Sequence, residues 1–220
     1  MTALPGSHHR ALSEATRVEA FSDGVFAIAL TLLVLEIHVP HLGTSPTGHA
    51  LLLALMQLWP SLLAMVFSFF VVLSMWYTHH DLMHWVRGVD KTFLFANGFL
   101  LLIVSFVPFP TAILAEYLNT PARTGAVAFY CTTFFFVAVA HYIFLQAIVA
   151  NRRLLHDHVP AERIAAVQRA YSFGPFAYIL LLLLSLRYAY LALALTFAMW
   201  GLWLTLDYQA RPRPSLPESG

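Results

Sequence analysis

Residues 17–37, RVEAFSDGVFAIALTLLVLEI, place a cation, two carboxylates and a hydroxyl directly in front of an apolar helix. From Gly24 to Leu35 only Thr31 is polar, and that run is shorter than the ~20 residues a lipid-facing span needs. The helix must therefore begin near Thr16 and carry Arg17, Glu19, Ser22 and Asp23 in its first turns. At ~1.5 Å per residue, Thr16 to His38 reaches ~34 Å and crosses a bilayer core. A carboxylate at membrane depth costs ~2.5–3.5 kcal/mol, so Asp23 is expected to face protein or water and to meet a donor. This first helix is an interior helix, and the chain organised around it reads as an all-α membrane protein.

The helical wheel gives the faces of this element. At about 100° per residue Phe21, Ile28 and Leu35 fall nearly on one line, with Leu32 about 40° to one side and Thr31 about 60° to the other. Asp23 lies about 140° from Ile28. One face offers branched apolar side chains and a hydroxyl, the other an acid to a neighbouring helix. By periodicity alone the apolar stripe is ordinary packing. Arg17 and Asp23 are about 240° apart, so they do not pair on one straight helix. Asp23 is expected to meet a group on another helix, such as His79 or Asn97.

The composition agrees with a membrane class. Of 220 residues, 60% are hydrophobic and 10% charged, and the mean hydropathy is +0.72, whereas a soluble domain carries about 25% charged residues. A net charge of +1 argues against a nucleic-acid partner. Cys131 is the single cysteine, so neither an intrachain disulfide nor a cysteine metal cluster can form. Residues 1–15 read as a loose polar tail without a cleavable signal, and the proline-rich residues 210–220 as a second disordered tail.

Between the tails, residues 16–209 read as one six-helix transmembrane unit. A loop with Pro40, Gly43, Pro46 and Gly48 follows the first span, and a second runs from about Leu51 to Met75, with Trp76 and Tyr77 as aromatics at its end and Pro60 in its first turns. His79 to Lys91 reads as a polar connection. A third span, Thr92 to Leu114, should be bent or interrupted by Pro108 and Pro110. The fourth runs from Ala126 to Ala150. A short interfacial helix is expected after Pro160, then two short helices joined by a hairpin near Arg187 to Tyr190. With an inside amino terminus, Arg10, Arg17, Arg87, Lys91, Arg152, Arg153, Arg163, Arg169, Arg211 and Arg213 fall inside, and only Arg123 and Arg187 outside. The positive-inside rule then puts both termini in the cytoplasm of a cell-membrane protein.

The polar groups admit alternatives. Arg17, Ser22 and Asp23 could form a proton or cation site, the default reading of intramembrane charges, or a hydrogen-bonded clasp between helices; the clasp is the favoured reading. His80 and His84, at i and i+4 beside Asp81, have spacing for a metal, but no third convergent ligand stands out in sequence. His141 and Gln146 in the fourth span read as satisfied by neighbours. Enzyme motifs are missing: there is no Ser-His nucleophile motif, no H-E-x-x-H and no phosphate-cradling glycine loop, so no catalytic residue and no cofactor is assigned. The T-V-G-Y-G loop of carbonyl-type potassium filters is missing too.

Four motifs carry a family resemblance. Arg17 with FSDGVFAIALTLLVLEI at the spacing R-x-x-x-F-S-D, Trp76 and His79 in MWYTHHDLMHW, Asp90 to Asn97 in DKTFLFAN, and FVPFPTAILAEY from Phe106 to Tyr117 resemble the first three helices of the transmembrane protein 175 family of potassium-permeable channels, in its single-repeat prokaryotic branch. The second half resembles that family only by helix count and apolar character. The resemblance implies a homotetramer whose first helices line the pore. Ile28 and Leu35 would supply apolar rings and Thr31 a polar one, while Arg17, Phe21, Ser22, Asp23, Trp76, His79, Asp90 and Asn97 would brace the pore helix. A tight apolar ring resists wetting, and a cation crossing it must shed water, which costs less for potassium than for sodium. The implied partners are the bilayer, monovalent cations and three further copies. Two other classes stay open: a proton-coupled secondary transporter using Asp23 and His79, and a non-conducting membrane scaffold.

Overall fold

A computed structural model describes residues 5–43 and 47–209, and their secondary structure is entirely helical apart from one isolated β-bridge. Eight α-helices follow in order: α1 (Pro5–Leu32), α2 (Gly48–Gln57), α3 (Trp59–Met83), α4 (Lys91–Phe106), α5 (Pro108–Tyr117), α6 (Arg123–Ala150), α7 (Ala161–Ser185) and α8 (Ala189–Gln209). Among the described residues, five segments are long and apolar enough to cross a membrane: 14–36, 59–83, 91–117, 123–150 and 161–185. The residues expected in the two tails divide accordingly, since 1–4 and 210–220 lie outside the described residues.

Several boundaries differ from the sequence expectation. The first helix does not begin at Thr16 but continues back to Pro5, so 5–15 is not a loose tail. Beyond Leu32 it tightens into a 3₁₀ turn, Leu33–Glu36, whose buried Leu33 packs among the core residues. The expected span from Leu51 to Met75 is two elements. Pro60 occupies the first turn of α3, where its missing N–H costs nothing, and α2 ends just before it. Helix α3 runs on to Met83, so Trp76 and Tyr77 lie within it and not at its end, and His79 and His80, expected in the connection, are helical. The third span breaks at Val107, as Pro108 and Pro110 require, with Pro108 opening α5. The interfacial helix expected after Pro160 is the first part of an unbroken α7, which contains Pro175.

The helices pack side by side, α6 against α4, α5, α7 and α8, and α1 against α3 and α4. Aromatic side chains fill much of the interior. Phe134 meets Tyr130 and Trp200 edge to face at 4.6 and 5.9 Å, and Phe67 stacks on Phe197 at 3.8 Å, joining α3, α6 and α8. Three buried hydroxyls run through this layer: Ser68 lies 3.0 Å from Tyr130 Oη and 2.8 Å from Thr111 Oγ1. Each thus has a partner in a region without water to serve instead.

One end of the bundle is tied across its loops. The Arg87 N–H donates to Leu154 O at 2.8 Å, and the His156 N–H to Trp85 O at 2.9 Å. Arg87 Nε donates to Arg153 O, and Arg163 donates to Asp81 at 2.8 Å. Asp90 caps α4 by accepting from the Phe93 N–H at 2.8 Å, and its second oxygen accepts from Asn151 at 3.2 Å. Those bonds hold the Asp90 carboxyl below its ordinary pKa, the Phe93 N–H contributing most. Arg87, Lys91, Arg152, Arg153 and Arg163 all gather at this end, whereas Arg123 and Arg187 lie at the other over Tyr190 and Tyr188.

Candidate functional site

The site is α1 and what holds it. Ser22, Phe26, Ala29 and Leu33 recur at helical spacing and are buried. On the opposite side Phe21, Ile28 and Leu35 are 68%, 61% and 69% exposed, and Thr31 is exposed beside them. A single chain therefore leaves the Phe21–Ile28–Leu35 line without a protein partner. The Thr31 hydroxyl donates to Ile28 O at 2.9 Å, which leaves its lone pairs free to accept.

The buried side is held by hydrogen bonds to two other helices. Ser22 Oγ donates to Val18 O at 2.8 Å and accepts from Asn97 Nδ2 at 3.0 Å. Asn97 Oδ1 in turn lies 2.9 Å from His79 Nε2. An amide oxygen can only accept, so His79 carries its proton on Nε2. Its imidazole lies between Phe144, stacked at 5.1 Å, and Phe26 at 5.4 Å. One short polar chain, fully buried among aromatic rings, thus joins α1, α4 and α3.

Asp23 departs from the sequence expectation. Its partner is neither His79 nor Asn97 but Trp76, whose Nε1–H donates to Asp23 Oδ1 at 2.8 Å. His79 and Asn97 instead serve Ser22, the residue before it. Arg17 is exposed, and Asp90 lies at the start of α4, one helical stretch away from Asn97, where it caps.

Sequence reading also missed a member of the histidine pair. Asp81, the acid adjacent to His80, is taken by Arg163, while Glu19 of α1 approaches His80 and His84. The signal was weak because Glu19 is remote in sequence from both. At the far end of α1 a groove of about 320 Å³ is lined in part by Glu36, His38 and Glu116.

A helical chain with five described segments long and apolar enough to cross a membrane, arranged about a polar-braced first helix with an uncovered apolar face, is a polytopic membrane protein in class. The profile of the family "Endosomal/lysosomal potassium channel TMEM175" matches residues 17–108. A potassium channel of Chamaesiphon minutus is 42% identical over 85% of this chain and 92% of its own. One from Streptomyces collinus is 39% identical over 90% and 92%. The endosomal/lysosomal proton channel TMEM175 of Gallus gallus is 31% identical over 73% of this chain but only 33% of its own length. The crystal structure of a lysosomal potassium-selective channel TMEM175 homolog from Chamaesiphon minutus superposes with a TM-score of 0.78 at 37% identity, covering 91% of this chain and all of that one. The chain belongs to the TMEM175 channel family.

Proposed function

We propose that the chain assembles as a homotetramer in the cell membrane and passively conducts potassium, with other monovalent cations, through a pore lined by four copies of α1. The observation that carries this reading is the pairing of an exposed Phe21–Ile28–Leu35 line with a fully braced opposite face on one helix. A closed cyclic oligomer covers such a line with copies of itself around an axis. Residues 16–209 form the channel unit, and α8, at 21 residues, is its sixth span. The gathering of cations at one end supports a cytoplasmic position for that end and for both termini. Ile28 and Leu35 form the apolar constriction, Thr31 the polar ring beside them, and Glu36 and Glu116 raise the cation concentration at the far mouth. Ser22, Asp23, Trp76, His79 and Asn97 hold α1 at a fixed distance from the axis, with Asp90 fixing the start of α4, while Arg17 and Phe21, exposed on a single chain, brace α1 against a neighbouring copy.

The test is ion flux into liposomes from purified protein, with a potassium gradient, a valinomycin control and sodium substitution. Wild type should give electrogenic, non-saturating flux faster in potassium than in sodium. Ile28→Asn should wet the constriction and raise sodium permeation; unchanged selectivity and conductance would remove Ile28 from the filter. The names of the animal relatives favour proton conduction as a second reading. Asp23 and His79 are each committed to a different partner, which weighs against a relay between them.

A further inference from the structure

Glu19 on α1 and His80 and His84 on α3 each bring one ligand atom within 4.8 Å of the other two. We propose that these three side chains bind a divalent transition-metal cation of the zinc class and thereby fasten α1 to α3. The donor set is two imidazoles and a carboxylate, which suits zinc and its neighbours and leaves a fourth position for water.

The orientation of the ligands supports this. His84 Nδ1 lies 2.8 Å from the His80 carbonyl, which can only accept, so the proton is on Nδ1 and Nε2 presents a lone pair. A hydrogen bond of this kind to the non-ligating nitrogen fixes both tautomer and ring direction at metal sites. His80 Nδ1 stands 3.0 Å from Glu19 Oε1, and a metal replaces the proton shared there. His80 is held in turn by Trp76, on which it stacks at 5.5 Å. Tetrahedral bonds of about 2.0–2.1 Å put ligand atoms about 3.3 Å apart, so Glu19 and His80, at 3.0 Å, are already near that spacing, and the wider separations, at most 4.8 Å, close by up to ~1.5 Å. All three side chains are at least partly exposed, so rotamer changes at solvent can supply that movement and the ion can reach them.

The same Trp76 donates to Asp23. The metal would therefore bind one face of the α1–α3 contact that the Trp76–Asp23 bond already holds, and its binding would stiffen that contact.

The test uses the full chain, purified in detergent and stripped with EDTA, titrated with ZnCl₂ by calorimetry and with CoCl₂ by visible absorption. Wild type should show a saturable site at one ion per chain, with the intense bands of tetrahedral cobalt, and zinc should raise its melting temperature. His84→Ala, which removes an exposed ring bonded only to its own helix, and Glu19→Gln, which keeps size, should each weaken binding at least ~10-fold and abolish the zinc-dependent shift. Size exclusion and melting in EDTA check that both variants are folded. Wild type without a saturable site would overturn the proposal. So would isotherms of both variants superimposable on wild type, which would put the metal on other histidines.

Discussion

Asn97→Leu tests the brace most directly, because the amide of Asn97 serves two helices at once. Replacing it with a side chain of similar volume leaves the His79 Nε2–H without an acceptor between Phe26 and Phe144. An orphaned buried donor costs about 1–3 kcal/mol. Ser22 keeps its bond to Val18 and loses one incoming donor, a further loss of about 1 kcal/mol. The variant should therefore lose about 2–4 kcal/mol. In a cycle with His79→Phe, the coupling should be about 0.6–1.7 kcal/mol, the range of interhelical hydrogen bonds in membranes, since a chain unfolded in detergent finds other partners. The double variant should be less destabilised than the sum of the singles, because it leaves fewer orphaned groups. Reversible unfolding in mixed micelles, followed by tryptophan fluorescence, measures all four proteins. Loss below about 0.5 kcal/mol for Asn97→Leu, with additive behaviour in the cycle, would refute the reasoning that these bonds hold α1 in place.

Trp76→Phe removes the indole donor that bonds Asp23 and should cost about 1.5–3 kcal/mol, as for a hydrogen bond to a charged group. Asp23→Asn should cost less in the same assay, since an amide oxygen still accepts from Trp76; the reverse order would contradict this assignment. Asp90→Ala loses the cap of α4 and should cost about 1 kcal/mol. Asp90→Asn isolates the charge. The folded carboxyl lies below its ordinary pKa, so its contribution is complete above about 3.9 and is lost as the pH falls through the lower folded value. The stability gap between wild type and Asp90→Asn should accordingly close on acidification, and a gap constant from about pH 5 to 2 would exclude it.

What could be read in the sequence followed from cost. Charges ahead of a short apolar run can be tolerated only on an interior helix, which is why Ser22 and Asp23 announced themselves before any contact was known. The wheel gave their direction from the helix axis but not which neighbour lies in that direction. Direction alone therefore points Asp23 to a group such as His79 or Asn97, whereas Trp76, whose sequence position suggests an interface aromatic, holds it. The proximity of Glu19 to His80 and His84 has no periodic trace in the sequence, because it joins residues about 60 positions apart on two helices. The break between α2 and α3 falls in a largely apolar run, interrupted near it by Gln57 and Ser61, where Pro60 alone does not distinguish a new helix from a kinked one. Helices α6 and α8 are apolar all round, so their buried faces could not be chosen from pattern alone.

Ser22 and Asp23 are adjacent, yet they bond to different helices, one to α4 and the other to α3. Side-chain tips lie about 5–6 Å from a helix axis, so a 20° twist of α1 would carry both by ~2 Å and break both bonds at once. Two attachments separated by about 100° of arc leave the helix no angle into which it can rotate while keeping either. Any rearrangement that preserves them must therefore be a tilt or a bend of α1, with Phe21, Ile28 and Leu35 always presented in the same compass direction.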